Sequence, residues 1–281
     1  MGKFDGMLLV SDFDNTFLFT EEALLEGGDT GFSPRDLDRV RYWMEQGGRF
    51  TIATGRAMMA FRPYAETVPT NMPVIVDNGG AIYDFQREEY FLTTFLPTGA
   101  RERVEHVLEK FPHVALEIYH PYPNELLQVM NPTPWNERHA RLTGIGYTVV
   151  HSLGADTVPE PISKVLFVAD NEVLREICAV AREEGWFDDY ELIFSSDHLL
   201  EMTARGANKG DMVKKLKELS GCHTLICAGD HLNDMSMLRK ADYVFCPANA
   251  EAEVRAFART VCHCREGAVG EIIEILDREI Q

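Results

Sequence analysis

The sequence predicts an α/β protein: a core built on a parallel sheet, interrupted by an inserted α+β domain. Two observations carry this expectation. At both ends of the chain, short apolar runs alternate with amphipathic segments in the strand–helix–strand order that builds parallel sheets. Between them the pattern changes to paired strands separated by turn residues, with helices interspersed, as expected of an antiparallel sheet with helices on one face. The expected division is a core of residues 1–83 and 204–281 around an insertion of residues 84–203, roughly 120 residues and within the usual size of a domain.

The elements follow in order. Met7–Phe13 is an apolar run bounded by Gly6 and Asp14, the signature of a buried strand. Ser33-Pro34 opens a helix, with serine at the N-cap and proline at the first helical position, and Gly47-Gly48 closes it. Arg49–Ala53 is the next strand, Thr54-Gly55-Arg56 turns into another helix, and Pro73–Val76 is a third strand ending at Asn78-Gly79-Gly80. Within the insertion, Ala81–Asp84 pairs with Tyr90–Thr93, and Val114–Tyr119 with Leu126–Met130 across the turn Pro121-Tyr122-Pro123-Asn124. Helices are expected at Ala100–Lys110 and Asn171–Glu184. The first rhythm resumes at Lys209. Helix Gly210–Leu219 sets Met212, Val213, Leu216 and Leu219 on one stripe, then come strand His223–Ala228, helix His231–Arg239, strand Asp242–Phe245 and helix Gly267–Leu276.

Composition narrows the function. The 281 residues carry 45 acidic and 27 basic side chains, a formal charge of −18 that repels nucleic acid and anionic membrane at long range. The same charge repels a phosphorylated ligand, so any phosphate site must be made positive locally by a cation, a lysine or helix N-termini. Six cysteines show no disulfide spacing, and Cys262-His263-Cys264 lacks the second ligand pair of a metal site. No basic region leads into a long apolar run at the start, and no stretch approaches the roughly 18 apolar residues of a membrane span. A protein of the reducing cytoplasm is expected, without nucleic acid or membrane as partner. The sequence leaves the oligomeric state open.

Four spots draw attention because each lies just past the C-terminal end of a predicted core strand, where open parallel sheets bind ligands. Five of the six residues before Asp12 are apolar or glycine, so a carboxylate ends a buried run. Asp12 and Asp14, two apart on an extended chain, face the same way. Such a pair holds a hard cation, or divides nucleophilic and acid–base work; it is equally a strand end with an Asp/Asn-rich turn. Thr54-Gly55-Arg56 offers a hydroxyl and free backbone N–H groups at a helix start, an anion site or an ordinary N-cap. Lys209 stands at a helix start, where the dipole disfavours it unless an anion is near, or is a plain surface lysine. Asp230, Asn233 and Asp234 bring three oxygen-bearing side chains to one loop, suited to magnesium or to helix capping.

Taken together, in this order, the four spots resemble the motifs of the haloacid dehalogenase (HAD) superfamily, in its Cof-type phosphatase group. Asp12-x-Asp14-x-Thr16 resembles the first motif, Thr54 the second, Lys209 the third and Gly229-Asp230-x-x-Asn233-Asp234 the fourth. Residues 76–83 and Leu200-Glu201-Met202-Thr203 also look like connections of that group. The resemblance spans essentially the whole chain. It implies a Rossmann-like, HAD-like core with a large α/β cap that closes over the site and sets specificity. It implies a magnesium-dependent phosphatase for small phosphorylated metabolites, sugar phosphates foremost. Asp12 is then the nucleophile and Asp14 the general acid and base. Asp12, the carbonyl of Asp14 and Asp230 hold magnesium; Thr54, Gly55, Lys209 and Asn233 bind phosphate; and Asp234 supports that shell. Asn15 stands where the group usually has glycine, and asparagine tolerates such backbone angles next best. A dehalogenase needs neither magnesium nor Asp14; a phosphomutase and a non-catalytic phosphometabolite-binding protein remain alternatives on the same scaffold. In the insertion, Tyr119, His120, Tyr122, Asn124, Trp135 and Asn136 lie near predicted turns, each expected individually to be surface decoration.

Overall fold

Every side chain of Met7–Ser11 is buried, as a strand covered on both faces requires. In the computed structural model, which describes residues 2–20, 31–121 and 127–280, this strand pairs in parallel with Thr224–Ala228 on one side and Arg49–Ile52 on the other. Tyr243–Cys246 and Arg259–Thr260 continue the sheet in parallel beyond Thr224–Ala228. A parallel bridge from Ala53 to Ile75 brings Val74–Val76 to the other side, where it starts a small sheet ordered Val74–Val76, Ala81–Asp84, Glu89–Thr93. A strand from the end of the chain thus lies directly beside one from its beginning.

The chain divides into two compact units, one of Met1–Gly55, Phe61–Phe91 and Lys209–Gln281, the other of Arg56–Ala60 and Leu92–Asn208. In the first, helix Pro34–Glu45 starts with proline behind Ser33 and gives way at Gly47, whose φ of 87° favours glycine. Helix Ala268–Glu279 packs on it so closely that a Cβ at Gly270 would come within 3.0 Å of the Arg35 carbonyl oxygen. Helix Lys209–Ser220 buries Met212, Val213 and Leu216, but Leu219, expected on the same stripe, is 57% exposed because the last turn runs beyond the buried layer. Two other helices are shorter than expected. After Gly55, only Met58–Phe61 is α-helical, followed by a 3₁₀ turn around Pro63, which lacks the N–H to continue the helix. The segment expected as one helix from His231 is a 3₁₀ turn, Leu232–Asp234, leading into Met235–Leu238. The Asp234 carboxylate takes the N–H groups of Asp230 and His231 and tightens that first turn.

The second unit carries a six-stranded sheet in the order Thr148–Val150, Leu127–Met130, Ala115–Tyr119, Lys164–Val168, Leu199–Ala204, Tyr190–Ser196. One face packs Leu116, Ile118, Val165, Phe167, Leu200 and Met202 against Val104 and Val107 of helix Ala100–Lys110 and Leu174 and Ile177 of helix Asn171–Glu183. The expectation of an antiparallel sheet with helices on one face needs two corrections. Thr148–Val150 joins Leu127–Met130 in parallel, because helix Pro134–Thr143 connects them as a crossover. That helix lies on the opposite face, where Asn136 and His139 bond the buried Glu117 carboxylate. The turn expected at residues 121–124 falls largely outside the described residues. No described helix is long and apolar enough to cross a membrane.

Asp36 gives the helix pair a pH dependence. It is fully buried; Oδ1 accepts from the Gly270 N–H at 2.6 Å, and Oδ2 has no hydrogen-bond partner among the described residues. Burial pushes its carboxyl up to about 7, against the hydrogen bond from Gly270 and the charge of Arg35. A carboxyl raised on folding favours the folded state below its unfolded pKa near 3.9 and loses that contribution as pH climbs through 7. Asp36→Asn should therefore be more stable than wild type at pH 8, by about 1–4 kcal/mol, with the difference vanishing near pH 4. Urea unfolding at the two pH values measures it.

Candidate active site

The register of the central strands delivers Asp12 to the end of the buried run. Its N–H donates to the Ala228 carbonyl at 2.8 Å, while the Ser11 carbonyl before it accepts from Ala53 at 2.9 Å. Lys209, the first residue of its helix and only 1% exposed, reaches the same place. Its ammonium donates to Asp12 Oδ1 at 2.5 Å and to Asp234 Oδ1 at 2.6 Å. The other oxygen of Asp234 accepts from the backbone N–H groups of Asp230 and His231, at 2.9 and 3.1 Å. Gly229 permits this, since a Cβ there would stand 2.5 Å from the Asp234 side chain. Asp230 Oδ1 accepts from the Thr16 hydroxyl at 3.0 Å. Thr16 is part of the first motif, but sequence reasoning gave it no role; its place four residues after Asp12 was the available signal.

Carboxylate oxygens of Asp12, Asp230 and Asp234 lie within 4.8 Å of one another. Burial, then repulsion from Asp234, pushes the Asp12 carboxyl up to about 7, with Lys209 pulling it down and Asp14 adding to the rise. Burial also raises Asp230 well above the usual carboxylate range, reinforced by Asp12 and Asp234. For Lys209, burial works to lower the pKa, but the two carboxylates outweigh it and hold the ammonium charged. Crowded acidic oxygens answered by a single ammonium suit a hard divalent cation. Asp12 and Asp230 fit as its ligands, whereas both oxygens of Asp234 already accept hydrogen bonds. Asp14 lies two residues past Asp12 and is half-buried.

Thr54 ends its strand fully buried, but its backbone N–H is not free for an anion as expected. It donates to the Ile75 carbonyl at 2.9 Å, because the chain there still pairs with Val74–Val76. Asn233 Nδ2 donates to Asn78 Oδ1 at 2.9 Å, and Gly55 lies against the Asn78 amide. Sequence reasoning did not place Asn78 at the site. Asn15 has a φ of 58°, the left-handed conformation expected where glycine is usual.

Several side chains expected at the surface of the insertion are buried. Tyr119 donates to Glu117, His120 bonds Gln128 at 3.0 Å, and Asn136 donates to Glu117 at 3.0 Å. These polar groups pair with one another along a strand, between neighbouring strands and from helix to sheet, which local sequence does not reveal. Trp135 is half-buried and stacks on His198 with ring centroids 3.6 Å apart; Tyr122 and Asn124 lie outside the described residues. Cys262 and Cys264 are free thiols, and neither joins a group of three or more potential metal ligands among the described residues.

Removing Lys209 leaves Asp12 and Asp234 facing each other unpaired. Lys209→Met should lower unfolding free energy by about 3–5 kcal/mol, measured by denaturant titration without divalent cations. A loss below about 1 kcal/mol would contradict a charged buried triad.

Comparison with known proteins places this geometry. The sequence model of the family described as haloacid dehalogenase-like hydrolase matches residues 9–273. The chain is 24% identical over 262 residues to the 5-amino-6-(5-phospho-D-ribitylamino)uracil phosphatase YcsE of Bacillus subtilis (strain 168), covering 90% of this chain and 88% of that protein. It is 23% identical over 259 residues to the pyridoxal phosphate phosphatase YbhA of Escherichia coli (strain K12), covering 90% and 92%. The solved structure of BT4131, a sugar phosphatase of HAD subclass IIB, superposes with a TM-score of 0.80 at 16% identity, over 96% of this chain and 99% of that one. The match covers nearly the whole chain, including all four loops that surround Asp12, and the protein belongs to the haloacid dehalogenase-like hydrolases.

Proposed function

We propose that this protein is a magnesium-dependent phosphatase that hydrolyses phosphoric monoesters of small metabolites through an aspartyl-phosphate at Asp12. The observation that carries this is the Asp12 carboxylate at a buried strand end, bonded to Lys209 and crowded by Asp230 and Asp234. Phosphoryl transfer needs positioning and charge neutralisation more than covalent chemistry from the protein, and such a cluster is organised for both.

In the first half-reaction an Asp12 oxygen forms a bond to phosphorus while the ester P–O bond breaks, and Asp14 gives its proton to the departing alcohol oxygen. In the second, Asp14 takes a proton from water, the water oxygen bonds phosphorus, and the Asp12–phosphorus bond breaks to release orthophosphate. Thr54, Gly55, Lys209 and Asn233 orient the phosphoryl oxygens, and Asp234 keeps Lys209 and the Asp230 loop in place. Magnesium, held by Asp12, the main-chain carbonyl of Asp14 and Asp230, would supply positive charge to the phosphoryl group when bound.

Sugar phosphates are the proposed substrate class, supported by the likeness to a sugar phosphatase, with other phosphorylated ring compounds next, since two relatives are named for those. Selectivity for the leaving group is assigned to the second unit, because the hydrolytic residues all lie in the first. The free thiols suit a reducing, cytoplasmic setting.

The test is release of orthophosphate from a panel of phosphorylated metabolites, with magnesium and with a chelator. Turnover unchanged by chelation, or phosphoryl return to substrate without free phosphate, would overturn the proposal. Asp12→Asn should lower kcat by at least about 10³-fold with folding intact, read by circular dichroism beside the assay. Asp14→Asn should lower kcat by about 10²–10⁴-fold while KM stays within about threefold. An effect confined to KM would remove the acid–base role.

A further inference from the structure

The segment after strand Val74–Val76 has an unusual backbone. Asp77, Asn78 and Gly79 are successive residues with φ of 54°, 53° and 100°, and the two non-glycine side chains are buried, at 8% and 1% exposure. Left-handed backbone at non-glycine residues persists only where the surroundings hold it, and it gathers at functional sites.

The surroundings of Asn78 are the loops of the candidate active site. Its N–H donates to the Thr54 carbonyl at 3.0 Å. Its Oδ1 accepts from Asn233 Nδ2 at 2.9 Å. Its Nδ2 lies so near Gly55 that a Cβ there would stand only 3.0 Å away. Thr54 and Gly55 follow strand Arg49–Ile52, and Asn233 belongs to the loop after Thr224–Ala228. Met7–Ser11, which delivers Asp12, lies between those two strands in the sheet. One buried residue therefore links the loops on either side of the nucleophile's strand, through its backbone N–H to Thr54 and its side-chain amide to Asn233.

We infer that Asn78 is a positioning residue for phosphoryl binding: it fixes Asn233 and the Thr54–Gly55 backbone relative to each other around Asp12. This rests on the phosphatase reading above. Asparagine is the side chain that tolerates the left-handed backbone while also bearing an amide that bonds Asn233 and packs beside Gly55. A residue serving only the turn would need the first property alone, so glycine at this position separates the two roles.

The experiment uses the full chain. Asn78→Gly keeps the backbone conformation accessible and deletes the amide; Asn233→Ala removes the same hydrogen bond from its other, half-buried end and leaves the turn intact. Orthophosphate affinity is measured by calorimetry with magnesium, kcat and KM with p-nitrophenyl phosphate, and thermal midpoints for each variant. Each single variant should weaken orthophosphate binding about tenfold with KM rising in step, and the double variant should lose no more than about the larger single loss, because the two act as one link. Wild-type affinity in Asn78→Gly, or losses that multiply in the double variant, overturn the inference. Should Asn78→Gly not fold, Asn78→Ser, which also lacks the amide, takes its place, wild-type affinity overturning the inference and a loss of about tenfold supporting it. Asn233→Ala, at a residue placed on the phosphate itself, is read only through the double variant. Wild-type protein that neither binds orthophosphate nor turns over the ester overturns the phosphatase reading and this inference together. Wild-type turnover with unaltered variants removes this inference alone.

Discussion

The Lys209 ammonium, enclosed between the carboxylates of Asp12 and Asp234, is the interaction on which the rest of the first unit depends. Removed from water, an ammonium and two carboxylates are each costly, and they are tolerated only when bonded to one another at 2.5–2.6 Å. The pair Asp12–Lys209 joins residues 197 positions apart, and Lys209 is the residue at which the chain re-enters the first unit. Strand Thr224–Ala228 then pairs beside Met7–Ser11, so the same return that completes the sheet also completes the charge cluster. A long intervening segment is compatible with this, because the entropy of loop closure grows only slowly with loop length.

The hydrogen bonds of Asp234 extend that dependence outward. One of its oxygens is committed to Lys209, the other to the amides that shape the Asp230 turn, and Asp230 in turn accepts from Thr16 on the Asp12 loop. The loops after strands Met7–Ser11 and Thr224–Ala228 are thus fastened at their tips as well as along the sheet. Displacing any one carboxylate disturbs the partners of the other two, so these residues behave as one electrostatic unit.

The core was legible because its strands announce themselves. Met7–Ser11 and Thr224–Ala228 are apolar runs that stop at a glycine or an aspartate, and Asp12 and Asp230 could be set at one sheet edge from element order. Lys209, expected past a core strand too, instead follows Leu199–Ala204 of the second unit's sheet and reaches Asp12 from the start of its own helix. The second unit was less legible because its sheet buries charge. Lys164–Val168 and Leu199–Ala204 were not singled out as strands, since Lys164 and Glu201 interrupt the apolar pattern. In the structure the two meet across the sheet at 3.2 Å, and the pairing makes their burial tolerable. Helix Pro134–Thr143 opens on Thr133-Pro134 much as Pro34–Glu45 opens on Ser33-Pro34, yet its buried contacts are polar, through Asn136 and His139 to Glu117, and no apolar stripe marks it. Asn78, legible in the sequence as part of a connection, carried no site role there for a related reason: its partners Thr54 and Asn233 are 24 and 155 positions away, and only the folded sheet brings them together.

On the proposed reading, charge counting in the site bears on how a chain of net charge −18 meets a phosphorylated substrate. Lys209 is the natural candidate to greet a phosphate, but its charge is already divided between Asp12 and Asp234. With Asp12, Asp230 and Asp234 all ionised, three negative charges face the Lys209 ammonium, and Asp14 adds a fourth nearby. Burial and mutual repulsion accordingly raise Asp12 and Asp230 above the usual carboxylate range. Under the proposed function, a divalent cation held by Asp12, the Asp14 carbonyl and Asp230 would offset part of that negative charge. On the proposed reading, the same crowding that makes this cluster unfavourable by itself favours a doubly charged ion there.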